Sequence, residues 1–148
     1  INFMGVVYTS KAFLPLLREQ KSETTLVNVS SLFGMFPMAL KTPYCSTKYA
    51  VRGLTDSLRM ELLDSNVKVI GVYLGGVKTG ITATALKAEN EPRYTKTFEK
   101  HLVMPPEKAA GIITDGILKS EENVIVGDDA KKAIFAYRWL PSILKKWH

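Results

Sequence analysis

The chain has 148 residues, 46% of them hydrophobic and 23% charged, which is enough for one domain with a real core and ordinary for a soluble globular protein. Its one cysteine, Cys45, rules out an internal disulfide and suits a reducing cytoplasm; no apolar run is long enough to span a bilayer, and no signal peptide is visible. The formal charge of +6 allows an anionic partner without demanding nucleic acid, and a solvated basic surface is the simpler reading.

Residues 1–19 read as an apolar helix despite Pro15. The chain opens apolar and without a methionine, where a natural start is usually polar and frayed. The first part of a larger domain is therefore expected to be absent. TTLVNVSS, residues 24–31, has the β-rich, apolar character of a strand buried on both faces. LFGMFPMALK, residues 32–41, is an apolar loop with Gly34 and Pro37. Thr42 is placed to cap the next helix, and Pro43 suits its first position, where no amide hydrogen is needed. Ala50, Leu54, Leu58 and Leu62 then recur every four residues, with Arg52, Asp56 and Arg59 elsewhere around the axis. That spacing predicts an amphipathic helix of about five turns.

VKVIGVYL, residues 67–74, is a second buried strand, broken by GGVKTGI. Residues 82–104 are mixed. There Glu89, Glu91 and Glu99 alternate with Lys87, Lys96 and Lys100, as on a solvated face. PPEKAAGIITDGILKS reads as a helix with proline at its start, and NVIVGD as a third strand. Residues 129–148 close the chain as a basic, aromatic helix interrupted at Pro141. The alternation of helix and strand predicts an α/β fold with a parallel sheet and crossover helices. No repeat, low-complexity tract or linker divides it.

Tyr44 and Lys48, in TPYCSTKYA, lie one helical turn apart and share a helix face. A nearby cation stabilises a phenolate, so the pair predicts a lowered Tyr44 pKa and a general acid or base usable near neutral pH. Alone, the pair is weak evidence, because a surface tyrosine packed on a lysine stem looks the same. Its setting adds weight. Ser30 and Ser31 end a buried strand, and ligands of parallel sheets bind beyond the carboxyl ends of the strands. The apolar loop between them, with Leu32, Phe33, Met35, Phe36, Met38 and Leu40, either covers the core or lines a pocket.

With these residues in view, the chain resembles the short-chain dehydrogenase/reductase family. The likeness rests on NVSS, on YCSTK with Tyr44 and Lys48, on GGVKT after the next strand, and on INFMGVVYTSKAFLPLL with Asn2. It runs in order over nearly all of the chain. It is closer to the compact, single-domain NAD(P)-dependent oxidoreductases than to the extended epimerase-like branch. The resemblance implies the C-terminal part of a Rossmann-like, doubly wound parallel sheet with flanking helices. Residues 1–148 would then be a single partial domain lacking the N-terminal cofactor-binding strands. Tyr44 would exchange a proton with the carbonyl or alcohol oxygen. Lys48 would lower the pKa of Tyr44 and hold the nicotinamide ribose, and Ser31, favoured over Ser30 by its spacing, would hydrogen-bond the substrate oxygen. Asn2 would support a water that relays protons to Lys48, while Val77 and Thr79 would hold the nicotinamide carboxamide.

The chain departs from this family in two places. None of its ten glycines forms the Gly-x-x-x-Gly-x-Gly turn that cradles a pyrophosphate at a helix N-terminus. NAD or NADP is therefore expected to bind the full-length form and not this chain alone. Leu74-Gly75 also stands where the family usually has Pro-Gly, which predicts a looser loop beneath the nicotinamide. The full-length form is expected to interconvert a small secondary alcohol and a ketone or aldehyde. The alternative is a truncated, non-catalytic fragment that self-associates and binds no dinucleotide. A homodimer or homotetramer through residues 1–19 and 43–63 is expected in either case.

His101 and His148 are the only histidines, without a ligand cluster around them, so no metal site is expected. No nucleic-acid module is recognisable. In the segment over the substrate, Ile81, Leu86, Tyr94 and Phe98 are candidates to touch it. The tail, with Arg138, Trp139, Lys145, Lys146 and Trp147, has a composition suited to an anionic membrane. Packing on its own domain or on a second subunit is preferred.

Overall fold

The structure, a computed structural model, describes residues 1–81 and 100–139. Helix α1 (Met4–Arg18) leads into strand β1 (Thr24–Ser31), a single 3-10 turn (Leu32–Gly34) and helix α2 (Thr42–Glu61). Strand β2 (Val67–Leu74), helix α3 (Pro106–Leu118), strand β3 (Asn123–Val126) and helix α4 (Asp128–Trp139) follow. The three strands form one parallel sheet in the order β1-β2-β3. Ser31 lies beside Leu74, and Leu74 beside Val126, so all three strands end at one rim.

Both faces of the sheet are covered, as in a doubly wound fold. Leu26, Val67 and Val69 pack with Leu62 against Leu14, Leu17 and Leu58 of α1 and α2. The alternate residues Ile70, Val72, Val124 and Val126 pack on the other face with Ala109, Ile112, Ile113 and Ile117 of α3. This is the two-sided burial that parallel strands require. β1 departs from the expectation of full burial, because Val29 is 45% exposed. It lies in the strand at the end of the sheet's order, and α3 covers β2 and β3 more fully.

α2 begins one residue earlier than expected. The Lys41 carbonyl accepts the Cys45 N–H at 2.8 Å, so Lys41 is the cap and makes no side-chain cap bond. Pro43 remains inside the first turn, where a missing amide hydrogen costs nothing. The buried line along α2 is also rotated from the expected leucine stripe. Cys45, Val51 and Thr55 are its buried residues, while of the expected stripe Ala50, Leu54 and Leu58 are half-buried and Leu62, just past the helix, is buried. The cause is polar, since Asn28 of β1 needs a partner from α2.

β3 stops at Val126 because Gly127 takes φ +106°, a left-handed turn that glycine adopts freely, and Asp128 then opens α4. The expected substrate contacts of Leu86, Tyr94 and Phe98 lie outside the described residues. So do the alternating charges at Lys87, Glu89, Glu91, Lys96 and Glu99, the break at Pro141, and the tail residues Lys145, Lys146 and Trp147. No helix among the described residues is long and apolar enough to cross a membrane. Likewise, no group of three or more His, Cys, Asp or Glu side chains among them is arranged to hold a metal.

Candidate active site

The side chains of β1 place α2. Ser30 is buried and its hydroxyl donates to the Lys48 carbonyl at 3.0 Å. Asn28, also buried, donates from Nδ2 to the Thr55 hydroxyl at 3.1 Å and accepts from Ser10 of α1 at 3.4 Å. Thr55 in turn donates to the Val51 carbonyl at 2.7 Å. Buried polar groups are costly unless partnered, so this chain of bonds fixes how far α2 can slide along β1. Gly34 adds a steric limit. A Cβ there would stand 2.7 Å from both the Lys48 carbonyl oxygen and the Ser30 Oγ. Only a residue without a side chain lets the turn and the helix approach this closely.

The outcome is a meeting of three side chains at the rim. The Ser31 Oγ accepts the Phe33 N–H at 3.2 Å, which leaves its own O–H to donate. It lies near enough to Tyr44, in the first turn of α2, to pull the phenol's pKa down. The Phe33 ring meets the Tyr44 ring edge-on, with centroids 6.2 Å apart, and so backs the phenol. Lys48 Nζ lies 5.7 Å from the centre of the Tyr44 ring and donates to the Val29 carbonyl at 3.4 Å.

The electrostatics differ from the expectation for this pair. Burial pushes the Tyr44 phenol above its ordinary pKa, Ser31 pulls it down by less, and Cys45 adds a small upward push. Burial also lowers the Lys48 ammonium. The ammonium sits over the ring face, where it meets the quadrupole of the π system. Tyr44 is therefore a phenol that keeps its proton at neutral pH.

The remaining predicted positions fall less close together. Val77 is buried at the turn after β2, and its N–H donates to the Gly75 carbonyl at 3.0 Å. Val77 pairs with Met104, and the Lys78 N–H reaches the Met104 carbonyl at 2.8 Å. Thr79 is exposed two residues on. Leu74, where a proline was the familiar residue, does not leave this turn untied. The Gly75 N–H donates to Val126 at 2.8 Å, and the Gly76 N–H to the Asp129 carboxylate at 2.9 Å. Asn2 is exposed in the turn before α1, and among the described residues no hydrogen bond joins it to Lys48. Ile81 is 43% exposed.

Sequence reasoning passed over Asn28, Thr55 and Gly34, which position α2. It also passed over Tyr137 of α4, whose ring meets Phe36 edge-on at 5.8 Å and which, second to burial, helps to raise the pKa of Tyr49. Cleft size is not what marks the site. A cleft of about 300 Å3, lined by Ile112, Asp115, Lys119, Asn123 and Lys131, lies between α3, β3 and α4 and includes none of the rim residues. The chemistry of Ser31, Tyr44 and Lys48 is the better guide than cleft size.

The family described as short chain dehydrogenase matches residues 1–90. SadH of Mycobacterium tuberculosis, provisionally named an oxidoreductase, is 38% identical over 136 residues, covering 88% of this chain and 49% of its own length. The chain thus spans about half the length of that relative. A short chain dehydrogenase/reductase from Burkholderia phymatum, crystallised in complex with NAD, superposes with a TM-score of 0.81 at 19% identity, over 100% of this chain and 57% of that one. A short-chain dehydrogenase from Streptomyces avermitilis gives a TM-score of 0.78 at 25% identity, over 99% and 58%.

Proposed function

The chain belongs to the short chain dehydrogenase family, and from that premise we propose that it carries the catalytic rim of a nicotinamide-dependent oxidoreductase that interconverts a small secondary alcohol and a ketone or aldehyde. The observation that carries the reading is the gathering of Ser31, Tyr44 and Lys48 at the exit of β1, where Ser31 pulls the Tyr44 pKa down and Lys48 Nζ lies 5.7 Å from the centre of the Tyr44 ring. The NAD bound to the Burkholderia phymatum structure supports a dinucleotide of this kind.

The residues fit the nicotinamide end of such a cofactor. Lys48 offers a cationic donor for ribose hydroxyls beside Tyr44, and Val77 to Thr79 form a tied turn at the neighbouring strand exit for the carboxamide. A complete site also needs a pyrophosphate-binding turn, and residues 1–148 contain no such glycine pattern. When bound, the dinucleotide supplies or accepts the hydride.

In the direction of reduction, Tyr44 gives its phenolic proton to the substrate oxygen. Its raised pKa keeps that proton in place until it is needed. Ser31 donates to the same oxygen as negative charge builds there, and its lone pair held by the Phe33 N–H orients it for the task. Lys48 holds a positive charge close to the phenolate that results, and so eases the proton's departure. In the direction of oxidation the same groups act in reverse.

Tyr44→Phe in the full-length protein tests this directly. The ring and its packing on Phe33 stay, and the transferable proton goes. A loss of at least about 100-fold in kcat is expected, with an unchanged circular dichroism spectrum. A variant that keeps more than about a tenth of the wild-type rate refutes the assignment.

A second reading, a self-associating fragment without dinucleotide binding, is favoured by the apolar residues that α1 and α2 expose. Calorimetry of residues 1–148 with NAD(H) and NADP(H) bears on it. Very weak or no binding is expected of this chain alone. A micromolar dissociation constant would mean that another part of the chain makes a phosphate site.

A further inference from the structure

Asp129, in the first turn of α4, reaches back to the turn that follows β2. Its Oδ2 accepts the Gly76 N–H at 2.9 Å, across 53 positions of sequence. The carboxylate fits a notch that Gly75 and Gly127 leave open. A Cβ on Gly75 would stand 2.6 Å from Oδ1 and 2.8 Å from Oδ2, and one on Gly127 would collide with Oδ1. A Cβ on Gly76 would run into the His101 carbonyl on its other side. Backbone bonds complete the enclosure. The Gly76 carbonyl accepts the Val103 and Met104 N–H groups at 3.1 and 3.0 Å.

Consecutive glycines have the widest backbone freedom of any pair, and Leu74 before them does not fix φ as a proline would. The turn nevertheless leads directly into Val77 and Thr79. A hydrogen bond to a carboxylate is shorter and stronger than one between neutral groups. Here it is aimed at the middle of the flexible pair.

We propose that Asp129 is a positioning residue for the nicotinamide end of the site, fixing Gly76 and thereby the placement of Val77 to Thr79. The proposal rests on the dinucleotide reading given above. It assigns to a side chain of the last helix the stiffening that a proline at position 74 would otherwise supply.

The test uses the full-length protein with Asp129→Ala and Asp129→Asn. Hydrogen–deuterium exchange at the Gly76 amide reports the contact without any ligand. Calorimetry with the dinucleotide and with ADP-ribose, which lacks the nicotinamide, reports its consequence. Asp129→Ala should speed Gly76 exchange by about tenfold, weaken the dinucleotide by about tenfold and leave ADP-ribose within about twofold. Asp129→Asn keeps an acceptor oxygen and should recover most of both losses. Unchanged Gly76 exchange in the alanine variant, equal weakening of the two ligands, or an asparagine variant no better than alanine would each overturn the proposal. A wild-type protein that binds neither ligand overturns the dinucleotide reading and the role built on it. The ligand-free exchange measurement tells that failure apart from a failure of the contact itself.

Discussion

Ser30 and Ser31 are neighbours in β1, both buried, and the structure gives them different work. The Ser30 hydroxyl donates to the Lys48 carbonyl at 3.0 Å and touches no reacting group. The Ser31 hydroxyl is held by the Phe33 N–H at 3.2 Å and lowers the Tyr44 pKa. Replacing Ser30 with alanine removes one buried hydrogen bond, a net loss of about 0.5–1.5 kcal/mol. Replacing Ser31 with alanine likewise removes one buried hydrogen bond, the one from the Phe33 N–H, a net loss of about 0.5–1.5 kcal/mol. Each kcal/mol corresponds to about 2–4 °C in Tm for a domain of 150–250 residues. Stability alone therefore separates the two variants poorly.

Turnover should separate them well. Loss of a donor to a developing oxyanion costs about 100- to 1,000-fold in kcat, whereas a looser seat for α2 should cost less than about tenfold. The assay is kcat for carbonyl reduction by the full-length protein, below the Tm of each variant. If Ser30→Ala loses as much turnover as Ser31→Ala, or if Ser31→Ala keeps more than about a tenth of the wild-type rate, the division of labour is refuted.

Thr55→Val keeps the shape of the side chain but strips Asn28 of its partner, so it should destabilise by about 1–3 kcal/mol in urea denaturation; a loss below about 0.5 kcal/mol would mean that the buried chain of bonds does not hold α2. Stability should fall as pH rises beyond about 10, because burial holds Tyr44 above its ordinary pKa and pushes Tyr49 and Tyr73 up to about 12, so the unfolded chain releases these protons first. Lys48, lowered by burial, adds stability only as pH rises to its ordinary value of 10.5, so a stability that does not fall beyond that pH refutes the burial of the three phenols. Sedimentation equilibrium of residues 1–148 at low micromolar concentration should show a dimer or tetramer, and a folded monomer would refute association through the exposed faces of α1 and α2.

The strands were the most legible part of the chain. Runs of β-branched residues bounded by turns have few alternatives, and β1 and β2 occupy residues 24–31 and 67–74 as read. That Ser31 and Tyr44 lie at one rim was legible because a strand's carboxyl end and the first turn of the helix that follows it meet at the same edge of a parallel sheet. The pKa of Tyr44 was not. Its direction depends on how much water the fold removes, and the position of Lys48 over the ring, rather than beside the hydroxyl, depends on the Val29 carbonyl from another element. The same holds for Thr55. A threonine among leucines reads as polar surface until Asn28 is placed opposite it. Asp129 was invisible for a simpler reason, since nothing local links it to Gly76.

α2 also bears on whether catalysis and self-association exclude each other. At about 100° per residue, Tyr44, Lys48, Val51 and Thr55 fall within about 60° of arc, on the side that faces β1. Tyr49, Gly53 and Met60 fall about 120–180° from the middle of that arc, and Tyr49 and Met60 are exposed there at 36% and 68%. No atom of the described residues comes within 4 Å of where a Cβ on Gly53 would lie, so that outer face is open to close approach by another backbone. α1 adds Met4, Tyr8 and Leu16, spread over about 120° of arc and exposed at 43%, 64% and 54%. A second copy bound through these surfaces would cover apolar area without touching the rim that holds Ser31 and Tyr44. Self-association is thus compatible with the enzyme reading, and dinucleotide binding is the property on which the two readings part.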